Sequence, residues 1–336
     1  MTDLQKKYSW VNKQDYEAVA SENWPTYEIF CQHNGVSDTV YQEIDTRLTQ
    51  NQTFNHPSFC VLPFYGYEIP NNTACCLMAR SHNIEDVKKE MLSGIRPAAC
   101  QKCWVLEDEG TVSDRLLKNS TLDFYRKKDI GKIFQECLDG NYQTTHYKID
   151  TSNVCNSTCL TCGDIASTAW GKLKQKNGLS YAKEWNLRFS SIKNKINFEN
   201  AEAMIFRGGE PFLSDVNFQI LEKLIEHGNY DCFISFSTNG SFKLSKRHKQ
   251  MLKHFRNLNF SFSLDGSGLV FEYMRYPLKF DQIKKNILYC RENNITPSVN
   301  YTLSNINLLY HSQTVNWFNE QNLSYIVSPV YEPLYF

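Results

Sequence analysis

No stretch of this 336-residue chain reaches the roughly 18 consecutive apolar residues that a bilayer span requires. The opening segment MTDLQKKYSWVNKQDYEAVA carries charge throughout and lacks the apolar run of a secretory signal. A soluble, cytoplasmic protein with no membrane partner is expected. Neither sign of charge dominates: Lys plus Arg number 36 and Asp plus Glu number 36. The basic surplus that would draw nucleic acid or acidic lipid is missing, so no nucleic-acid partner is expected and partners must be inferred from a site. No low-complexity segment or short internal repeat is present.

Aromatic residues and cysteine are plentiful. The 6 Trp, 19 Tyr and 21 Phe fit a folded enzyme or binding protein, and the length suits one large domain or two medium ones. Twelve cysteines are many for a reducing compartment, where they bind metal more often than they form disulfides. They are clustered. Cys60, the Cys75 and Cys76 pair, Cys100 and Cys103 lie in the first third, and Cys155, Cys159 and Cys162 follow in "VCNSTCLTCG". Cys31, Cys137, Cys232 and Cys290 stand alone and are read as core.

The motif C-x3-C-x2-C also describes an apolar helical stripe, in which free cysteine acts as a small hydrophobe. Asn156, Ser157, Thr158, Thr161 and Gly163 are poor helix formers, and the preceding "YKIDTSN" alternates like a strand entering a loop. A metal loop is favoured. Three thiolates can cap three irons of a cubic iron–sulfur cluster and leave the fourth open, whereas four would close it.

Residues 1–58 read as a polar, aromatic N-terminal extension, with helical pieces such as "VSDTVYQEIDTRLTQ". The stretch "FCVLPFYGYEIPNNTACCLMAR" then reads as a hairpin: an apolar strand, a Pro-Asn-Asn turn and a second strand holding the cysteine pair. "NIEDVKKEMLSGI" reads as a helix with Asn83 as N-cap and Gly94 as stop. Cys100 and Cys103 follow, completing a four-thiolate set that suits zinc or an iron–sulfur cluster, with Cys76 as the alternative to Cys75. From residue 146 onward strands alternate with amphipathic helices: "HYKIDTS", "AMIFRG", "CFISFST", "NFSFSLD", "TPSVNYTLS" and "SYIVSPVY" make six β/α units. An α/β fold is expected, closing into a parallel barrel or winding into an open sheet, with chemistry at the C-terminal strand ends.

The polar signatures obey that rule. The cysteine loop follows the first of these strands, "RGGEPF" the second, "STNGS" the third and "SLDGSG" the fourth. These residues resemble the radical S-adenosylmethionine superfamily over 146–336. The resemblance implies a partial (β/α)6 TIM-type barrel with an N-terminal α+β cysteine-rich extension. It also implies a [4Fe-4S] cluster on Cys155, Cys159 and Cys162 whose open iron takes the amino and carboxylate groups of S-adenosylmethionine. Gly208 and Gly209 would let backbone approach the methionyl end, Glu210 and the carbonyls about Pro211 would accept from the amino group, and Ser237, Asn239, Ser263 and Asp265 would contact ribose or carboxylate. In that superfamily an aromatic residue usually precedes the last cluster cysteine; here it is Thr161. Relatives commonly continue beyond "SPVYEPLYF", so the chain is either naturally short or lacks a C-terminal closing segment.

Residues 59–140 resemble the auxiliary-cluster module called twitch, a half-length relative of the SPASM domain. The resemblance implies a second [4Fe-4S] cluster on Cys60, Cys75, Cys100 and Cys103, against the alternative of structural zinc. So equipped, relatives act on peptides or proteins and less often on small molecules. A reductant such as flavodoxin or ferredoxin is the implied partner.

Overall fold

The computed structural model describes residues 56–75, 77–110, 113–116, 118–119 and 130–330. The helix read at 36–50, most of the N-terminal extension and Cys76 lie outside these residues. The chain divides into two units, one holding the described residues up to Tyr65 and from Thr73 to Gln143, the other Gly66–Asn72 and the chain from Thr144.

In the second unit a single sheet of seven parallel strands runs in chain order: β1 (Gly66–Ile69), β2 (His146–Asp150), β3 (Ala203–Arg207), β4 (Phe233–Thr238), β5 (Leu258–Ser263), β6 (Thr296–Leu303) and β7 (Ser324–Pro329). Among the described residues β1 and β7 do not pair with each other, so the sheet is open. The six expected strands are all present, and the count rises to seven because of β1. Gly66–Ile69 was expected in a hairpin. Instead Leu62–Tyr65 is a short helix (α1), and β1 pairs in parallel with β2, Glu68 opposite Lys148 and Ile69 opposite Ile149. The physical reason lies in the side chains: Ile69 extends the apolar row of Tyr147 and Ile149. Buried Glu68 meets Lys148 at 3.4 Å and Arg207 at 3.6 Å, partners that a following antiparallel strand would not supply. The cis Ile69–Pro70 bond and Asn72, with φ of 56°, turn the chain away.

The two faces of the sheet differ. Alternate residues such as Ile149, Met204, Phe206, Ile234, Phe236, Phe260, Phe262, Val299 and Tyr301 form one apolar core, the period-two pattern of a strand with one face buried. The helices pack on this side because their apolar stripes need the same core. They are α6 (Phe189–Ile192), α7 (Asp215–Glu226), α8 (Lys246–Leu252), α9 (Gly268–Met274), α10 (Phe280–Glu292) and α11 (His311–Glu320), whereas α5 (Thr168–Lys176) adds no side chain to that core. Most of the intervening strand residues are polar, among them Lys148, Asp150, Arg207, Ser235, Ser237, Asn259, Ser261, Ser263, Ser298 and Asn300, with Ile205 of β3 an exception. Phe212, after β3, stacks on Phe236 with ring centroids 4.6 Å apart, which fixes the strand's exit.

The first unit has its own core about Phe59, Phe64, Tyr65, Val87, Met91, Trp104, Ile130 and Ile133. Its helices among the described residues include α1, α2 (Ile84–Leu92), α3 (Gln101–Asp108) and α4 (Ile130–Leu138). The expected cap holds: Asn83 accepts from the Glu85 N–H at 2.8 Å, and Gly94 ends the helix with φ of 77°. Residues 74–75 and 77–78 form turns and bends where the hairpin's second strand was expected.

Candidate functional site

The C-terminal ends of β2 to β5 carry four loops joined by hydrogen bonds. After β2 the chain passes Ser152 and Val154 into the cysteine loop. The turn after β3 lies directly against that passage: the Gly209 N–H donates to the Ser152 carbonyl at 2.9 Å, and the Glu210 N–H to the Val154 carbonyl at 2.7 Å. Gly208 has φ of 107°, and a Cβ there would stand 2.5 Å from the Ser152 oxygen; one at Gly209 would overlap the Val154 carbonyl. Both glycines are required by this backbone approach.

Glu210 is buried, and its carboxylate is occupied by the chain itself. Oε1 accepts from Thr238 Oγ1 at 2.8 Å and the Phe212 N–H at 3.3 Å, while Oε2 accepts from the Asn239 N–H at 2.8 Å. Burial pushes its carboxyl up to about 7, against the opposing pull of these donors. Pro211 opens a short 3-10 turn, and its carbonyl accepts from the buried Asn217 side chain at 2.8 Å.

Within the cysteine loop, Ser157 Oγ lies 3.3 Å from both Cys155 Sγ and Cys159 Sγ. Burial, eased by Ser157, raises the Cys155 thiol. Cys162 is the most exposed of the three, yet loss of hydration pushes its thiol up to about 11, with Cys159 and then Cys155 adding to the rise. Asn239 donates from Nδ2 to Asn156 Oδ1 at 2.8 Å and lies 3.9 Å from Cys155 Sγ. Trp170 donates from Nε1 to the Cys159 carbonyl at 2.9 Å. Ser237 and Ser263 stand half-buried on the polar face of β4 and β5.

Asp265 is fully buried and pairs with Arg275, Oδ1 with Nη2 at 2.9 Å and Oδ2 with Nε at 2.8 Å. Arg275 Nη1 in turn lies 3.7 Å from Cys159 Sγ. Sequence reasoning assigned Arg275 no role, and its signal was faint: one cation in the apolar run "LVFEYMRYP".

The first unit gathers the other thiols. Cys60, Cys75, Cys100 and Cys103 line one cavity with Met78, Met91 and Arg115. Burial raises Cys60 well above the ordinary thiol value, and Cys75, Cys100 and Cys103 contribute. Burial likewise pushes Cys100 up to about 12, with Cys75 and Cys103 adding. The backbone N–H of Arg115 bonds to Cys103, and its side chain is held by Glu107 at 2.6 Å.

Among the described residues no three of His, Cys, Asp and Glu are gathered closely enough to hold one metal ion. Ligands of an iron–sulfur cube spread wider than ligands of one ion, because each thiolate caps a different iron. Both sets fit that chemistry: burial first, and neighbouring cysteines after it, raise the thiols of Cys162, Cys60 and Cys100, and a cationic cluster would relieve that cost.

No family model and no curated protein matches this chain. Solved structures do resemble it. Native anSMEcpe with bound AdoMet aligns at 18% identity and a TM-score of 0.42, covering 56% of this chain and 53% of that one. Streptococcus suis SuiB bound to S-adenosylmethionine aligns at 15% and 0.44, over 76% and 55%. The radical S-adenosylmethionine methyltransferase TsrM from Kitasatospora setae, with cobalamin and a [4Fe-4S] cluster, aligns at 11% and 0.38, over 59% and 38%. The chain thus spans about half the length of the first two and less of the third. Among the described residues no helix is long and apolar enough to cross a membrane.

Proposed function

We propose that this chain is a radical S-adenosylmethionine enzyme acting on a peptide or protein, its sheet the partial barrel of that superfamily and residues 59–140 an auxiliary-cluster module. One observation carries the reading: Cys155, Cys159 and Cys162 share one loop at the C-terminal strand ends, and the C-x3-C-x2-C stretch itself holds no fourth cysteine. Such a set holds a cluster while leaving one iron for a second ligand. When bound, the cluster and S-adenosylmethionine supply hydrogen-atom abstraction by a 5′-deoxyadenosyl radical.

The chain's own residues bind and orient. Ser157 lies between two ligand sulfurs, and Asn239 steadies Asn156 and Cys155. Glu210 holds the β3 turn to the β4 loop, so the backbone about Gly208 to Pro211 faces the cofactor site as a rigid edge. Ser237 and Ser263 offer hydroxyls from the polar face of the sheet. In the first unit Cys60, Cys75, Cys100 and Cys103 would close a second cluster, suited to electron transfer. An auxiliary cluster of that kind favours an oxidative modification of a peptide.

A second reading keeps this chemistry but takes a small polar molecule, such as a sugar or nucleotide, as substrate. The polar row of Ser237, Ser261, Ser263 and Asn300 on β4 to β6 favours it. A short precursor-peptide gene beside the gene for this chain would decide for the peptide.

Anaerobic protein should be brown, hold roughly eight irons in two cubes, and release 5′-deoxyadenosine from S-adenosylmethionine with dithionite. Colourless protein carrying zinc at both cysteine sets would replace the enzyme with a non-catalytic zinc module.

A further inference from the structure

A buried cation faces the three-cysteine loop, held there by backbone register. The Thr158 N–H donates to the Tyr276 carbonyl at 2.7 Å, and the Leu160 N–H to the Met274 carbonyl at 2.8 Å. Cys159 lies between the two donors and Arg275 between the two acceptors, so this pairing sets them opposite each other. The position does not depend on a flexible arm finding its target.

The guanidinium is also aimed. Asp265 takes Nη2 and Nε, leaving Nη1 at 3.7 Å from Cys159 Sγ. Asp265 is itself fixed: its Oδ1 accepts from the Thr302 N–H at 3.1 Å, and its carbonyl accepts from Asn307 Nδ2 at 2.9 Å. Asn307 reaches on to the Thr302 carbonyl at 2.8 Å. A line of bonds therefore runs from the loop after β6 through Asp265 and Arg275 to one ligand sulfur. The ion pair is a dipole with its positive end towards that sulfur, and burial leaves it weakly screened.

We propose that Arg275 donates to the Cys159 sulfur of the bound cluster and raises the reduction potential of that cluster, making it easier to reduce. Reduction adds negative charge, and a cation or donor at a ligand sulfur stabilises the reduced form more than the oxidised one. Asp265 is the positioning residue that holds the guanidinium in line. This inference rests on the three-cysteine loop holding a cluster.

The test is an anaerobic redox titration followed by electron paramagnetic resonance, reading the signal that changes when S-adenosylmethionine is added. Wild type is compared with Arg275→Gln and Arg275→Lys, and iron is counted in each. The expected result is a more negative midpoint in Arg275→Gln, a smaller shift in the same direction in Arg275→Lys, and unchanged iron. If Arg275→Gln fails to load iron, Arg275→Lys decides, since its ammonium keeps the charge but loses the fork geometry. A midpoint equal to wild type in the decisive variant overturns the role of Arg275 while leaving the cluster reading intact. Wild-type protein without a signal that responds to S-adenosylmethionine overturns that reading, and the inference with it.

Discussion

The Asn239 N–H donates to the Glu210 carboxylate at 2.8 Å, deep in the protein, and so ties the loop after β4 to the turn after β3. Thr238 Oγ1 and the Phe212 N–H complete the set around the same carboxylate. Glu210→Ala would leave three donors without their acceptor, at about 1–3 kcal/mol for each buried group left unpaired. We predict a loss on the order of 3 kcal/mol or more in urea unfolding; a loss no larger than that of an exposed Glu→Ala control would refute it.

The same carboxyl has a pH signature. Burial lifts it from its usual 4.5 to about 7. Between those values the folded state keeps a proton that the unfolded chain has released, so this contribution to stability is whole below the lower value and is lost as pH rises through the upper one. Glu210→Gln has no such proton. Wild-type stability should therefore fall more steeply over this window than that of Glu210→Gln, measured by urea midpoints at stepped pH. Parallel curves would count against it.

Gly209→Ala should displace the cysteine loop, because the new Cβ meets the Val154 carbonyl and backbone cannot yield as a side-chain tip can. The expected outcome is at least a halving of iron bound per chain, by analogy with strain costs of about 1–3 kcal/mol. Gly178→Ala serves as control: it has a positive φ, 66°, which Gly209 lacks, but nothing stands near its Cβ. Equal iron in both variants would show that close approach is not what the glycine serves.

Asn217, wholly buried on α7, donates to the Pro211 carbonyl at 2.8 Å and accepts from Thr151 Oγ1 at 3.0 Å. It thereby joins α7, the β3 turn and the strand entering the cysteine loop. Asn217→Ala is predicted to cost about 2 kcal/mol. Thermal unfolding indistinguishable from wild type would argue that the link is slack.

The two cysteine sets should fail differently. Cys159→Ala is expected to abolish release of 5′-deoxyadenosine, whereas Cys103→Ala should retain it while substrate turnover is lost. Chromatography of the nucleoside product distinguishes them, and equal loss in both would contradict an auxiliary role for the first unit's cysteines.

Much of this was legible in the chain because it depends on neighbours in sequence. Strands β2 to β7, the helices α7, α8, α10 and α11 and the Asn83 cap follow from periodicity and capping over a few residues. The grouping of Cys155, Cys159 and Cys162 follows from spacing short enough that one loop must hold them all.

What tertiary structure alone decided depends on partners far along the chain. Gly66–Ile69 has the composition of a hairpin strand, but a strand's partner is set by the side chains it can bury, and those lie on β2 and β3. Glu210 and Asp265 looked like groups free to meet a ligand. Each is instead spent on the protein, Glu210 on the loop after β4 and Asp265 on Arg275, because a buried carboxylate must find donors wherever the fold brings them. The glycines before Glu210 were legible as a requirement for close approach, while the backbone they approach, at Ser152 and Val154, was not. The placing of Arg275 against Cys159, 116 residues earlier, has no local trace at all: it arises from two backbone hydrogen bonds that exist only once the sheet has assembled.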